Sequence, residues 1–374
     1  MPEDAFQARL KSLLKETGES LSVVEPLIFD LGKADERRQL ERLLQDDEVI
    51  HANDYYIDQL SELMEVQNPE SIGQRVKIND GTDFEREGKW IYFPWGKKLS
   101  HILNESEYKL LRSSRNMNLV TKDEQVVFEK MKIAFTGLNV GNPGALCISL
   151  EGGGNSMKFA DNDHLSLSNL NRFRASISDL GVNKAVLSAR QVYEINPYAE
   201  IDIYDQGISE ENIEAFLLSP KVDLLVEEMD HLPLKVKIRK KAKEYKIPVI
   251  MVTGNGENVI IDVERYDIDN DLEILNGTVN TKVIERVETL DKNKICVREY
   301  TALCRDFIGA DNLAERLQDS FQLIGSELAG IPQLAESSFL RGAVISYFAR
   351  QIATSASVPS GRYYLNMDSM IESR

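Results

Sequence analysis

Short apolar runs alternate with helix-like segments in the middle of the chain. The apolar runs lie at 132–136, 156–160, 201–204, 222–226 and 247–252. Each run has the length of a buried strand, and apolar residues recur at helical spacing in the stretches between them. Strands that alternate with helices form a mainly parallel sheet with helices on both faces. The pattern therefore predicts an α/β, Rossmann-like fold, in which the ligand crevice lies beyond the carboxyl ends of the strands.

The pattern at the N-terminus is different and predicts a mostly helical domain. Leucines at helical spacing occur in two groups, Leu10, Leu13, Leu14 and Leu40, Leu43, Leu44. The aromatic segment 89–95 predicts a β-hairpin, or alternatively a clamp that binds an extended peptide by strand addition. We expect an N-terminal acidic region over 1–105, a nucleotide-binding domain over 106–275 and a mostly helical extension over 276–374.

Charge and composition exclude several functional classes. The 374 residues carry a formal net charge of −17, of which −10 falls within residues 1–70. This balance argues against a nucleic-acid partner and against an anionic membrane surface. No apolar stretch has the length of a transmembrane helix, and the sequence has no signal-peptide core at its N-terminus, so we expect a cytoplasmic protein. Three cysteines exclude a disulfide framework and a four-thiolate zinc site.

A glycine turn follows the first apolar run of the central segment. Gly137, Asn139 and Gly141 lie between the strand at 132–136 and a small-residue helix. Backbone N–H groups at such a helix N-terminus bind phosphate groups. Asp161 follows the next strand, at the spacing of an acidic residue that binds a ribose hydroxyl. The turn matches the dinucleotide motif at its first glycine alone, which makes the motif weak. The strand–turn–helix arrangement and Asp161 allow an NAD- or FAD-dependent oxidoreductase as one alternative function.

A more specific motif starts at Asp161. It reads Asp-Asn-Asp-His-Leu-Ser-Leu-Ser-Asn-Leu-Asn-Arg and ends at Arg172. Gly181-Val182-Asn183-Lys184, Ile195-Asn196-Pro197, the strand end at Asp230 and Ile247-Pro248-Val249 follow in order. These motifs resemble the ThiF/MoeB/ubiquitin-activating-enzyme superfamily, and the layout resembles a bacterial subgroup with an extra N-terminal domain. The resemblance covers about residues 110–265.

The resemblance implies an ATP-dependent adenylyltransferase that uses Mg²⁺ and activates a carboxylate, here the C-terminus of a peptide or small protein. By position, it assigns Asp161 to the ribose and Asp230 to the metal ion. It assigns phosphate binding to Arg172 and Lys184, because the transition state accumulates negative charge around the α-phosphorus. Asn169 would hold the nucleotide. The family also uses an arginine from the second subunit of a homodimer, which lies just before the first strand. Arg112 and Arg115 are the candidates for that role, and Arg115 is preferred.

Two departures from the family pattern keep a further alternative open. Asn139 and Asn142 occupy positions where relatives have glycine, so a nucleotide-binding scaffold that has lost turnover is the second reading. Glu227 and Glu228 either add charge to the metal site or face solvent. The basic residues are expected to form a solvated helix face; they are Lys235, Lys237, Arg239, Lys240, Lys241 and Lys243.

Overall fold

The computed structural model describes residues 24–76, 83–291, 294–354 and 357–371, together with Gln7 and Lys11. The chain forms two compact units. The N-terminal unit comprises the chain up to Lys122 and the segment Ala189–Ala199, and the main unit comprises Asp123–Ser188 and the chain from Glu200 onward. The division expected from the sequence has three parts, with boundaries after residues 105 and 275. These boundaries differ from those of the two units, and the division stays a prediction.

The N-terminal unit combines helices with a small sheet. Its strands are β1 (Leu27–Phe29), β2 (His51–Asp54), β3 (Lys89–Phe93) and β4 (Lys98–Ile102), and its helices are α1 (Ala34–Gln45), α2 (Tyr56–Gln67) and α3 (Glu105–Arg112). The sheet order is β1-β3-β4-β2, in which β3 and β4 form an antiparallel hairpin. The hairpin predicted from the aromatic segment is therefore confirmed.

Two of these strands lack the apolar alternation from which a strand is predicted. Strand β2 has the sequence His-Ala-Asn-Asp and lies at the edge of its sheet, and β1 has three residues. The unit therefore contains more sheet than its leucine spacing predicts. Helix α1 includes the second leucine group, and its Leu40 is buried. The first leucine group lies outside the described residues.

A seven-stranded sheet forms the centre of the main unit. Its strands are β5 (Lys132–Thr136), β6 (Ser156–Ala160), β7 (Glu200–Tyr204), β8 (Leu224–Glu227), β9 (Val249–Asn255), β10 (Asn258–Glu264) and β11 (Gly361–Leu365). The sheet order is β11-β10-β9-β8-β5-β6-β7, with β5 to β9 parallel and β10 and β11 antiparallel to their neighbours. Helices flank the sheet. The Rossmann-like, mainly parallel fold predicted from the alternation is confirmed.

The described helices of this unit connect and flank these strands. They are α4 (Lys122–Lys130), α5 (Leu138–Leu150), α6 (Lys184–Ile195), α7 (Ile213–Leu218), α8 (Leu232–Glu244), α9 (Thr281–Glu288), α10 (Val297–Ile308), α11 (Glu315–Leu323), α12 (Ala335–Ala353) and α13 (Met367–Met370). Lys122 of α4, and the part of α6 from Ala189 onward, are assigned to the N-terminal unit. Strands β5, β6, β8 and β9 are mostly buried, which explains why they read as continuous apolar runs. No helix in the described ranges has the length and hydropathy needed to cross a membrane.

Helix α8 differs from its predicted solvated face. Lys235 and Arg239 are buried, with 7% and 0% of their surface exposed, whereas Lys237 and Lys240 face solvent. The interpretation of the whole basic run as a solvated face is therefore wrong. Charges alone do not distinguish the two faces of this helix, because the acidic partners of the buried pair come from other elements.

Helices α5 and α12 cross at two glycines. A Cβ atom added at Gly144 would lie 2.7 Å from Ile345 Cγ2, and one added at Gly342 would lie 2.7 Å from the backbone oxygen of Pro143. Side chains on either glycine would therefore separate the two helices. The absence of a side chain at this crossing fixes α12 against the helix that follows the glycine turn.

The crossing predicts the effect of a single added methyl group. Gly342→Ala should lower the free energy of unfolding by about 1–3 kcal/mol, because the new Cβ meets backbone atoms that have no rotamer to move to. The higher helix propensity of alanine, worth about 1 kcal/mol, would act in the opposite direction. Gly141→Ala is the matched control, since a Cβ at Gly141 meets Phe135 at an ordinary 3.5 Å. Urea denaturation of both variants measures the difference, and equal stabilities would contradict this account of the crossing.

Candidate functional site

The glycine turn lies at the carboxyl end of β5. Gly137 has a φ of +80°, and a Cβ at this position would lie 2.4 Å from the backbone oxygen of Glu228. Only glycine fits this combination of backbone conformation and close approach. The turn thereby places the N-terminus of α5 beside the end of β8. Backbone N–H groups at a helix N-terminus favour a negatively charged ligand.

Asp161 follows β6 and contacts this turn directly. Its Oδ2 accepts a hydrogen bond from the backbone N–H of Leu138 at 2.6 Å, and its Oδ1 accepts one from Asp163 at 2.8 Å. Burial raises the pKa of Asp161, while these backbone N–H groups and Lys184 oppose the rise. The carboxylate caps α5 and retains acceptor positions for a further donor, because a carboxylate has about four of them.

Lys184 is the first residue of α6 and is 5% exposed. Its Nζ lies 2.9 Å from Asp163 Oδ2. Asn183 holds this end of the helix in place: its amide donates to the backbone oxygens of Asp161 and Asp205, and its Oδ1 accepts from the N–H of Ala185. The ammonium group is therefore fixed next to Asp161.

Arg172 follows the short 3₁₀ turn Leu167–Asn169. Its Nη1 donates to the backbone oxygen of Ser168 at 3.2 Å and to Asn171 Oδ1 at 2.7 Å. Its Nε is buried and has no hydrogen-bond partner among the residues that the structure describes. Burial lowers the pKa of Arg172, and Asp230 opposes that effect. The unpartnered Nε fits a site that receives an anion.

Asp230 lies just after β8 and is exposed. Its backbone oxygen accepts a hydrogen bond from the Tyr300 hydroxyl at 2.6 Å, which anchors the strand end to α10. Within the described ranges, no group of three or more His, Cys, Asp or Glu side chains could hold a metal ion. A single carboxylate fits Mg²⁺, which commonly takes one or two carboxylates with phosphate and water ligands. It does not fit a metal held by protein ligands alone.

The other sequence-predicted residues lie in three different settings. Asn139 lies in the first turn of α5, and its Oδ1 is buried without a partner among the described residues. Gly141 lies two residues further, where a Cβ atom would face Phe135. Asn169 is buried, and its Oδ1 accepts from the N–H of Ser166 within its own loop. Arg115 lies exposed in the N-terminal unit. The proposed roles of all four stay predictions.

The acidic pair before Asp230 is buried, so its solvent-facing alternative is wrong. Glu227 is fully buried and pairs with Lys235 at 2.8 Å and with Arg239. Burial acts to raise the pKa of Glu227, but these two cations lower it below its usual range. Glu227 therefore belongs to a buried ion network under the site.

Glu228 has no cation at bonding distance among the described residues. Its Oε1 accepts from the N–H of Val252 at 2.6 Å. Burial raises the pKa of Glu228 to about 8, although Lys235 and the Val252 N–H oppose the rise. Near neutral pH, most of this side chain is therefore protonated.

The pKa of Glu228 predicts a pH dependence of stability. Its folded-state pKa lies above the ordinary value. Its favourable contribution to the free energy of unfolding is therefore complete below about pH 4.5 and is lost as pH rises toward 8. Glu228→Gln should remove this dependence. Relative to the wild type, the free energy of unfolding of the variant should therefore rise by about 1.4 kcal/mol per pH unit between pH 5 and 8. Urea denaturation across that range measures the two curves. Parallel curves would show that Glu228 titrates normally.

A cavity of about 400 Å³, here called the chamber, adjoins this edge of the sheet. Its polar lining includes Arg172, Glu228, Asp230 and Arg341. Its apolar lining includes Met251, Tyr300, Phe307, Leu317, Phe321 and Ile331. Gly137, Asp161 and Lys184 do not line it. The site therefore has two sides. One side is the glycine turn with Asp161 and Lys184. The other side is the chamber, which two of the predicted site residues, Arg172 and Asp230, line.

Arg341 and the apolar wall have no counterpart among the sequence-predicted residues. Arg341 lies on α12, more than 100 residues after Asp230, in a tail without a recognisable motif. The available signal was an arginine within a largely apolar helical segment, beside Gly342. That signal does not indicate which cavity the arginine lines, because the position depends on the packing of α12 against α5.

The fold and the arrangement at the sheet edge define a Rossmann-like α/β domain. Residues 113–263 match the model of the ThiF family, so this segment is a ThiF-family domain. The resemblance inferred from the motifs at Asp161–Arg172 is thus confirmed.

Three similar proteins give this match its context. The chain is 29% identical over 291 residues to the uncharacterized protein MT1398 of Mycobacterium tuberculosis, covering 77% of this chain and 39% of that protein. It is 26% identical over 171 residues to the adenylyltransferase and sulfurtransferase UBA4 of Debaryomyces hansenii, covering 44% and 36%. The chain thus spans less than two fifths of each relative's length. The E. coli tRNA N6-threonylcarbamoyladenosine dehydratase TcdA, solved with ATP, has 16% identity and a TM-score of 0.48 over 66% of this chain and 95% of that chain.

Proposed function

We propose that this protein is an ATP-dependent adenylyltransferase that activates a carboxylate, namely the C-terminus of a peptide or small protein. The observation that supports this most is the set of charged groups around the Gly137 turn. Asp161 and Lys184 lie on one side of the turn, and Arg172 and Asp230 lie on the other. The ThiF-family match of residues 113–263 supports the same reaction class.

In the proposed reaction, ATP supplies an electrophilic α-phosphorus and a pyrophosphate leaving group. A carboxylate oxygen of the substrate forms a bond to that phosphorus, the bond to the bridging oxygen breaks, and pyrophosphate leaves with the electron pair. No proton moves in this step. The chain's residues bind and stabilise charge: the N–H groups of α5 and the cations Arg172 and Lys184 face the phosphates.

Asp161 would accept hydrogen bonds from the ribose in this proposal. Asp230 would hold Mg²⁺, which would supply positive charge against the phosphates. The exposed Asp230 carboxylate suits the metal, because it makes no ion pair with a cation among the described residues. We further propose a homodimer in which Arg115 of one protomer reaches the nucleotide of its partner. Light scattering at increasing concentration tests the dimer.

Calorimetric titration with ATP and Mg²⁺, beside NAD, tests the nucleotide. We expect ATP to bind and NAD to bind more weakly or not at all. Tighter binding of NAD would favour the oxidoreductase alternative, and a folded protein that gives no signal with ATP would refute the proposal. Exchange of labelled pyrophosphate into ATP, measured over a panel of peptides with free C-termini, tests turnover. ATP binding without exchange for any carboxylate would favour the scaffold alternative.

A further inference from the structure

A buried arginine lines the chamber without a bonded anion. Arg341 is 3% exposed, and its buried Nε has no hydrogen-bond partner in the described ranges of the chain. Its Nη2 donates to Gln333 Oε1 at a long 3.3 Å, and within the described part of the chain it makes no ion pair. Buried guanidinium groups normally bind a carboxylate or phosphate, because desolvation of an unpaired charge is costly. Arg341 therefore has unused hydrogen-bonding capacity inside a cavity.

The groups around Arg341 leave its guanidinium without a bonded counter-charge among the described residues. Arg172 and Asp230 also line the chamber, and Lys235 is paired with Glu227. Glu228 lines the chamber as well, but its Oε1 accepts a hydrogen bond from the N–H of Val252. Burial lowers the pKa of Arg341, because desolvation disfavours the charged guanidinium. An anion bound in the chamber would offset this cost.

The position of Arg341 is fixed rather than adaptable. The next residue, Gly342, packs against the backbone of Pro143 on α5, and Gly254 of β9 approaches the guanidinium so closely that a Cβ there would lie 3.4 Å from Nη1. Ser337, one turn earlier on α12, also lines the chamber. A guanidinium held in this way is preorganised for a planar anion.

We propose that Arg341 binds the carboxylate of the substrate, and that the apolar wall of the chamber binds an apolar side chain next to that carboxylate. This inference rests on the proposed function, which requires a carboxylate beside the nucleotide. The wall is formed by Met251, Phe307, Leu317, Phe321 and Ile331. A chamber of about 400 Å³ takes the terminal residue of a chain rather than a folded protein. The substrate class is a peptide that ends in a free carboxylate on an apolar or aromatic residue.

The substrate carboxylate and the phosphates of the nucleotide bind on different sides of the site in this proposal. The phosphate-facing groups at Gly137 and Lys184 do not line the chamber, whereas Arg172 and Asp230 do. A carboxylate bound by Arg341 is therefore placed on the chamber side and meets the nucleotide at the two shared residues. Bond formation to phosphorus removes the carboxylate's charge, so Arg341 binds the reactant more strongly than the product. Arg341 is a specificity-determining residue, and its loss should raise KM for the peptide more than it lowers kcat.

Calorimetry without ATP tests the proposal with three probes: acetyl-Ala-Ala-Phe with a free C-terminus, the same peptide as its C-terminal amide, and acetyl-Ala-Ala-Gly with a free C-terminus. The wild type should bind the phenylalanine acid about tenfold to hundredfold more tightly than the amide, the range expected for one charge-assisted hydrogen-bond pair. It should also bind the phenylalanine acid more tightly than the glycine acid. Arg341→Gln should bind acid and amide equally, and Arg341→Lys should retain part of the preference.

Arg350→Gln is the matched control, because Arg350 lies on the same helix, pairs with Glu151 and does not line the chamber. It should retain the full preference for the acid. ATP titration of each variant separates the two proposals: loss of the acid preference with intact ATP binding supports Arg341 as the carboxylate site. If the wild type binds the acid more tightly than the amide but does not bind ATP, the proposed adenylyltransferase activity is refuted and the proposed carboxylate site at Arg341 is supported. Equal binding of acid and amide by the wild type, no binding of either acid, or an unchanged preference in Arg341→Gln would each overturn the inference.

Discussion

Arg239→Met should lower the free energy of unfolding by about 3–5 kcal/mol, the range for breaking a buried ion network by removing one partner. The Arg239 Nε donates to Glu264 Oε2 at 2.9 Å, and its Nη1 contacts Glu227. Lys235 would still neutralise Glu227, but Glu264 would lose its cation in a fully buried position. Urea denaturation followed by circular dichroism measures the loss.

Two further variants separate the ion network from other effects of the substitution. Lys240→Met, on the exposed face of the same helix, should change stability by less than about 1 kcal/mol. Arg239→Met combined with Glu264→Gln should recover part of the stability, since it removes the uncompensated charge. If Arg239→Met and Lys240→Met destabilise equally, the buried network does not have the stabilising role described.

Arg172→Ala should weaken ATP binding by about tenfold to hundredfold, because it removes a guanidinium whose buried Nε has no partner in the described part of the chain. With a carboxylate that supports pyrophosphate exchange, the exchange rate should fall further, by about 10²–10³, as expected when a preorganised charge on the transition state is lost. Calorimetry and the exchange assay measure the two effects separately.

The controls for Arg172 are a conservative variant at the same position and a variant of a nearby arginine. Arg172→Lys keeps the charge but not the planar fork, so it should recover part of the affinity. Arg174 stacks on the Phe339 ring at 3.9 Å and does not line the chamber, so Arg174→Gln should bind ATP as the wild type does. Unchanged ATP affinity in a folded Arg172→Ala protein would remove Arg172 from the nucleotide site.

The sequence predicts the parallel part of the main sheet well, because its strands are short, buried and separated by helices of ordinary length. Strands β5 and β6 have the same bounds as their apolar runs, and the bounds of β7, β8 and β9 differ from theirs by at most three residues. The two antiparallel strands were not predicted. β10 follows β9 after a tight turn at Gly256, and β11 joins the sheet almost a hundred residues later, so its pairing is a long-range contact without a local pattern.

The candidate site was predictable where a motif carries it and not elsewhere. Asp161, Arg172 and Lys184 lie in ordered motifs, and the structure places Asp161 beside the Gly137 turn and Arg172 on the chamber. Arg341 and the buried side of α8 depend on which faces pack together. In the sequence, Lys235 and Arg239 of α8 resemble surface cations. Their acidic partners are distant in the sequence, because Glu227 lies on β8 and Glu264 lies on β10.

Strand β11 has a consequence for the minimal unit that can function. It covers β10, which otherwise would be the edge of the main sheet, with five paired residues from Gly361 to Leu365. A fragment limited to residues 113–263 would leave the open edge of Val259–Val263 facing water, and exposed edges of apolar strands promote aggregation. The same fragment would lack α12 and its arginine. The distal hundred residues therefore act as a structural cover for the family domain, and proteolytic trimming from the C-terminus should cost solubility and ligand selectivity together.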